Sequence, residues 1–405
     1  MNSGIMHNRK IILLSVMVVT VSFFARCIQA IPSPDPRGPE YSGSSKCVNC
    51  HQEISYSYAH TAHFLSTQIA NEKTVKGNFS NDSNELWIND STRIMMEKRD
   101  SGLYQVLYLN NKQETQRRFD LLMGTSKVQA FFYWQNDGFF QLPVFYYINK
   151  HAWASSPGTA ASKINFNRPA VNACFQCHSS FSNGDPHGIS VAVAKQQNWV
   201  FNIDCERCHG PAAAHVQFHE SHPDEKQSRF LTSFQSLVKS RKVELCAVCH
   251  SGTGNIIIKS TAGFKMGDTL ESYMSVIPDN TSSPDIHGNL TRQLSLSKCF
   301  RMGDMDCSTC HNAHVNEKEV SKNFNESCQH CHSPGQHFCG LADKTDITFL
   351  KSNCTACHMP AQTSVSLLVQ AGNHSSEDSM KIVNHRIAVY PVETEMVFKT
   401  ISHLH

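Results

Sequence analysis

Residues 307–314 read Cys307-Ser-Thr-Cys310-His311-Asn-Ala-His314: two thiols two residues apart, an imidazole directly after the second thiol, and another imidazole three residues on. The five-residue core of this stretch recurs as Cys47-Val-Asn-Cys50-His51, Cys174-Phe-Gln-Cys177-His178, Cys205-Glu-Arg-Cys208-His209, Cys246-Ala-Val-Cys249-His250, Cys328-Gln-His-Cys331-His332 and Cys354-Thr-Ala-Cys357-His358. With Cys307 and Cys310 these motifs use fourteen of the 17 cysteines, so the pattern organises the whole chain.

Cys-x-x-Cys-His is the attachment signal for c-type haem. Two thiols add across the two vinyl groups of one porphyrin, and two intervening residues let both sulfurs reach one edge. The adjacent histidine then meets the iron as proximal ligand. Tetrahedral zinc also uses Cys-x-x-Cys pairs, but zinc does not require a histidine after every second cysteine. A thioredoxin-like redox pair is expected once, beside a strand-helix pattern, not seven times. The reading is therefore haem c, seven groups covalently attached.

Composition agrees. The chain has 405 residues, 17% of them charged, with a formal net charge of +2, so no basic or acidic excess exists to drive binding to nucleic acid. Seventeen cysteines beside 23 histidines are too many thiols for a cytosolic enzyme and too many imidazoles for a disulfide scaffold. Arg9 and Lys10 precede the apolar run IILLSVMVVTVSFF, and Ala30 offers a small residue for cleavage. Residues 1–30 are read as a secretory signal peptide, since such a run falls short of the ~20 residues that span a bilayer. Cys27 follows the bulky Arg26, an unfavourable context for a lipid anchor. Residues 31–45 are rich in Pro, Gly and Ser and are expected to be a flexible leader until order begins near Cys47. The mature chain is expected to carry no membrane span and to be periplasmic or extracellular.

The expected fold is mainly α and irregular, a haem-cored multihaem cytochrome c, with a small antiparallel β-sheet inserted between haem 1 and haem 2. Seven porphyrins in a mature chain of roughly 375 residues leave roughly 54 residues each, far below a domain-sized core per cofactor. The expected divisions are 46–170 for haem 1 plus the β-rich insertion, 171–260 for haems 2–4, and 261–405 for a loop, haems 5–7 and a C-terminal strand carrying a distal ligand. In the insertion, Asn136-Asp137-Gly138 between aromatic runs is a hairpin-turn signal. Trp134, Phe140 and Tyr146 are read as packing residues. Cys299 and Cys339 remain after attachment, either as a disulfide or as two separate thiols.

What occupies the second axial position of each iron separates electron transfer from chemistry on a substrate. Fifteen histidines outside the motifs follow the signal, enough to cap all seven irons. Met359 is a weaker candidate. His311 and His314 lie too close in sequence to reach opposite faces of one porphyrin, so His314 is expected to cap a neighbouring haem. His385 is expected on a strand, KIVNHRIAVY, laid back over the haems.

The chain also resembles multihaem cytochromes c of the cytochrome c554 and doubled-CxxCH type, including long forms with tetratricopeptide repeats. The resemblance covers roughly residues 44–391: SKCVNCHQEISYSYAHTAHF, QLPVFYY, ACFQCH, DCERCHGPAAAH, LCAVCHSGTG, DIHGN, DCSTCHNAH, CTACHMP and NHRIAVYP. It implies electron transfer through bis-histidine haems, with His63, His215, His314 and His385 matching distal-ligand positions and His287 a fifth. His151 and His187 are assigned from the supply of ligands and their place near haem two. The sequence departs from the long forms in ending soon after NHRIAVYP, so tetratricopeptide repeats are not expected. The expected partners are a redox donor and a redox acceptor protein, and an oligomer is compatible with the sequence. The alternative is a multihaem oxidoreductase acting on a small nitrogen or sulfur compound at one open haem, although no Cys-x-x-Cys-Lys motif is present. A filament-forming haem protein is a third reading.

Overall fold

The computed structural model describes residues 35–80, 83–136, 138–156, 164–182, 199–252, 254–277, 288–333, 338–369 and 378–402. The expected export segment, Asp137, His187 and His287 lie outside the described residues.

Between the first and second motifs the chain runs as β1 (Thr67–Ile69), β2 (Glu85–Asn89), β3 (Thr92–Arg99), β4 (Gly102–Leu109), β5 (Lys112–Arg118), β6 (Leu121–Met123), β7 (Val128–Gln135), β8 (Gly138–Gln141), β9 (Val144–Tyr147), β10 (Ala152–Ser155) and β11 (Arg168–Pro169). β2 to β5 form a four-stranded meander; the others form a seven-stranded sheet with β7 at its centre. The single small sheet expected here is thus two sheets packed face to face. Ile94 and Met96 of β3 and Leu103 of β4 share one core with Phe131, Tyr133, Val144, Tyr146 and Trp153 of the other sheet.

β7 links this layer to the second motif through strand alternation, which sends successive side chains to opposite faces. Phe131 and Tyr133 point into the inter-sheet core. Phe132, between them, packs with Phe139, Trp199 and Phe175, the last being the first intervening residue of Cys174-Phe175-Gln176-Cys177. Trp134 and Phe140 stack on Phe139 and Tyr133 at 4.8 and 5.3 Å, as packing residues do. The β7–β8 hairpin pairs Gln135 with Gly138, and Asn136 takes the left-handed conformation (φ 53°) that such a turn demands.

The motifs outside this layer sit on short helices. Cys47 is on Ser44–Val48, the second motif on Asn172–His178, the third on Cys205–His209, the fourth at the end of Lys239–His250 and the seventh on Cys354–His358. Two short strands, β12 (Ile256–Ile257) and β13 (Met274–Ser275), follow the fourth motif. Downstream, β14 (Ala361–Val369) pairs antiparallel with β15 (Asp378–Val383), and a helix spans Pro391–Ser402. The strand expected to carry His385 ends two residues before it. The segment that follows is held instead by Gln293, whose side chain accepts from the His385 N–H (2.9 Å), and by Ser297, which accepts from the Ile387 N–H (2.8 Å). No described helix is long and apolar enough to cross a membrane.

The leader differs from expectation. From Asp35 onward it is folded against the third motif rather than extended. The buried Arg37 guanidinium meets Asp35, Asp204 and Glu206 at 2.8, 2.7 and 3.1 Å. Glu206 also accepts from the backbone N–H of Ser42, Gly43 and Ala212. Asp204 caps the motif helix through the Arg207 N–H and accepts from Ser180 beside the second motif. These carboxylates need a buried cation as partner, and the leader supplies it.

Candidate metal centres

Four motif histidines each face a second imidazole contributed from far along the chain. His51 and His215 have ring centres 6.5 Å apart, His63 and His250 6.1 Å, His209 and His314 5.8 Å, and His311 and His385 6.2 Å. Metal–imidazole bonds of about 2.0–2.1 Å on both sides, plus roughly 1.1 Å from nitrogen to ring centre, put two trans rings roughly 6.3 Å apart. The separations therefore fit one iron between each pair, beside two thiols of the same motif. The ring planes are 17°, 15° and 24° apart in three pairs and 81° apart in His63–His250.

The imidazoles are oriented for this. The Nδ1–H groups of His215, His385 and His358 donate to the carbonyls of Arg229 (2.8 Å), Val383 (3.2 Å) and Ala388 (2.8 Å), and that of His311 donates to Glu317 Oε2 (2.8 Å). Each bond leaves the Nε2 lone pair facing away, the arrangement that metal-binding histidines use. Burial pushes His250 down to about 4, with the His63 imidazole adding to the effect. Burial lowers His63, His209 and His385 as well. These rings are neutral near pH 7, which is the ligating form.

The remaining site residues fall differently. His178 ends the second motif helix, and its carbonyl accepts from Ser66 and Thr67. His332 is exposed. His151 stands exposed in the β layer at a left-handed turn (φ 51°) before β10, its N–H donating to the Ile148 carbonyl. It meets no motif histidine among the described residues. His151 was placed by its nearness in sequence to the second motif, but the intervening strands carry it away.

The thiols adjoin across motifs. Cys47 lies against Cys205, Cys177 against Cys249, Cys246 against Cys307 and Cys328 against Cys354. Cys208 interacts electrostatically with Cys249, and Cys310 with Cys328. The motifs thus follow one another as first, third, fourth, fifth, sixth, seventh, with the second set against the fourth. Cys299 lies near Cys310 and Cys328, while Cys339 lies near Cys354 and Cys357; the two are free thiols, not a disulfide.

The intervening residues of the motifs bind the centres together, which motif counting missed. Arg207, buried at 5% exposure, donates to the Gln176 carbonyl (3.2 Å) and Thr261 (3.3 Å) and lies 3.9 Å from Cys249 Sγ. Gln176 Oε1 accepts from Ser260 and from the Thr261 N–H. The available signal was Glu206-Arg207, the one charged pair inside any of the seven motifs.

Residues 147–210, from the end of β9 through the third motif, match the family model of cytochrome c554 and c-prime. The chain superposes on the crystal structure of the outer cell wall cytochrome OcwA with a TM-score of 0.53 and 16% identity, covering 89% of this chain and 82% of that one. The fold is similar to that of the cytochrome OcwA. No curated protein matches the chain. Within a multihaem cytochrome c fold, the paired imidazoles and adjoining thiols make a coherent donor set for haem c.

Proposed function

We propose that this protein is an exported seven-haem c-type cytochrome that carries electrons between a donor and an acceptor protein. The observation that carries the reading is the set of four imidazole pairs at iron-spanning separations, each beside its own thiol pair. Haem c, bound at each motif, supplies a one-electron centre.

The fourteen motif cysteines would hold the porphyrins covalently. His51, His178, His209, His250, His311, His332 and His358 would be the proximal ligands. His215, His314, His63 and His385 would be the distal ligands of the first, third, fourth and fifth centres, with His187 and His287 the further candidates named by the sequence. The polypeptide fixes the imidazoles by hydrogen bonds to carbonyls and keeps neighbouring motifs in thiol contact. Short separations favour electron exchange because tunnelling falls off exponentially with distance. The apolar run after Arg9 and Lys10 supports export, to a periplasmic or extracellular location.

Two measurements on the purified mature protein test this. Its intact mass should exceed the polypeptide by seven haem groups, and the oxidised electron paramagnetic resonance (EPR) spectrum should be dominated by low-spin signals. Fewer attached haems would overturn the count, and a predominantly high-spin spectrum would turn the assignment toward the oxidoreductase.

A further inference from the structure

The fourth motif touches three of the others. Its Cys249 adjoins Cys177 of the second motif and Cys208 of the third, and its Cys246 adjoins Cys307 of the fifth. It is also enclosed: Ala247 and Val248 between its cysteines are each 4% exposed. Arg207 stands against Cys249. Among the described residues no carboxylate lies within ion-pair distance of this guanidinium, and its buried Nε has no hydrogen-bond partner. The carboxylates next to it in sequence, Asp204 and Glu206, are turned to Arg37 instead.

We propose that the His63–His250 centre is the highest-potential centre of the cytochrome, an electron sink at its branch point, and that Arg207 is the residue that sets it there. The inference rests on the seven-haem reading. Oxidised haem iron carries one more positive charge than reduced iron, so a low-dielectric enclosure and a nearby uncompensated cation both favour the reduced form. The neighbouring centres are biased the other way. Asp35, Asp204 and Glu206 confront a single Arg37 beside the first and third motifs. At the fifth, the Glu317 carboxylate on His311 Nδ1 strengthens the imidazole as a donor to oxidised iron. Arg168, the cation beside Cys174 of the second motif, is half-buried and more screened by water.

The crossed ring planes provide the label. Imidazoles at 81° leave two iron d orbitals nearly degenerate and give a highly anisotropic low-spin EPR signal, whereas the planes within 24° give ordinary rhombic ones. In an equilibrium titration with dithionite, followed by EPR on the full-length holoprotein, the anisotropic signal should be the first lost. His63→Ala should abolish it, which assigns it. Arg207→Gln should move its midpoint to lower potential by more than that of any rhombic signal, the third centre included because Arg207 also neighbours Cys208, and Arg207→Lys should retain most of the wild-type midpoint. A wild-type anisotropic signal that titrates late, or is missing from a protein whose mass shows seven haems, overturns the proposal, as does an Arg207→Gln shift shared equally by every signal. If Arg207→Gln does not fold, the wild-type order of reduction alone decides. A mass showing fewer haems would instead mark the failure of the seven-haem reading.

Discussion

The His209 and His314 imidazoles face each other at 5.8 Å with planes 15° apart, although His314 follows His311 of another motif by three residues. On the proposed reading the segment His311–His314 would serve two centres, giving His311 to the fifth and His314 to the third. His314→Ala should convert one low-spin haem to high spin while seven haems remain attached. The altered centre should be the one at Cys205 and Cys208, which a structure of the variant would identify; a change at Cys307 and Cys310 would contradict the pairing.

His385 reaches His311 from the C-terminal segment anchored on Gln293 and Ser297. His385→Ala should likewise leave one haem high-spin. Gln293→Ala should loosen the same ligand without removing it, giving a mixed-spin, temperature-dependent signal. An unchanged spectrum in His385→Ala would separate this residue from the iron.

Arg37 is the one cation among three carboxylates. Arg37→Ala leaves those charges buried and unmatched and should cost about 3–5 kcal/mol, read as a lowered Tm. The pH dependence has a definite sign. Burial acts to raise the Asp35 carboxyl, but hydrogen bonds and charge from Arg37 outweigh it, and the net shift is below the ordinary 3.8. The Asp35 contribution is thus present above pH 3.8 and lost as pH falls through the lower folded value, so the Tm gap between wild type and Arg37→Ala should narrow only in strong acid.

Gly77 lies under the Trp153 indole, where an added Cβ would overlap the ring. Trp153 is in the inter-sheet core and donates through Nε1 to the Asn78 carbonyl. Gly77→Ala should destabilise the β layer by about 1–3 kcal/mol through overpacking. Thermal unfolding measures it, and the haem spectrum should be unaffected.

How far the sequence could be read depended on the range of the interactions. Motif cysteines and proximal histidines follow from a five-residue spacing and needed nothing distant. The distal positions His63, His215, His314 and His385 were marked by resemblance, but their assignment to particular centres was not legible, because each faces a ring brought in by tertiary packing. The β layer was visible in β3, β4 and β7 through their apolar and aromatic runs and the hairpin signal at residues 136–138. The extent of the second sheet was hidden, because β10 is Ala-Trp-Ala-Ser without alternation and β11 is two residues long. The leader misled for a similar reason: its Pro and Gly content describes local freedom, while Arg37 is held by residues of the third motif.

Each imidazole pair joins distant parts of the chain, and this sets the order in which the molecule can mature. On the export reading, His51 would leave the cytoplasm before His215, and His311 before His385. Porphyrins could be attached one by one as each Cys-x-x-Cys-His emerges, but the sixth ligands of the first, third and fifth centres lie downstream and arrive only later. A partly exported chain would therefore carry five-coordinate, oxygen-reactive haems, and the last C-terminal residues would act as the step that quenches them.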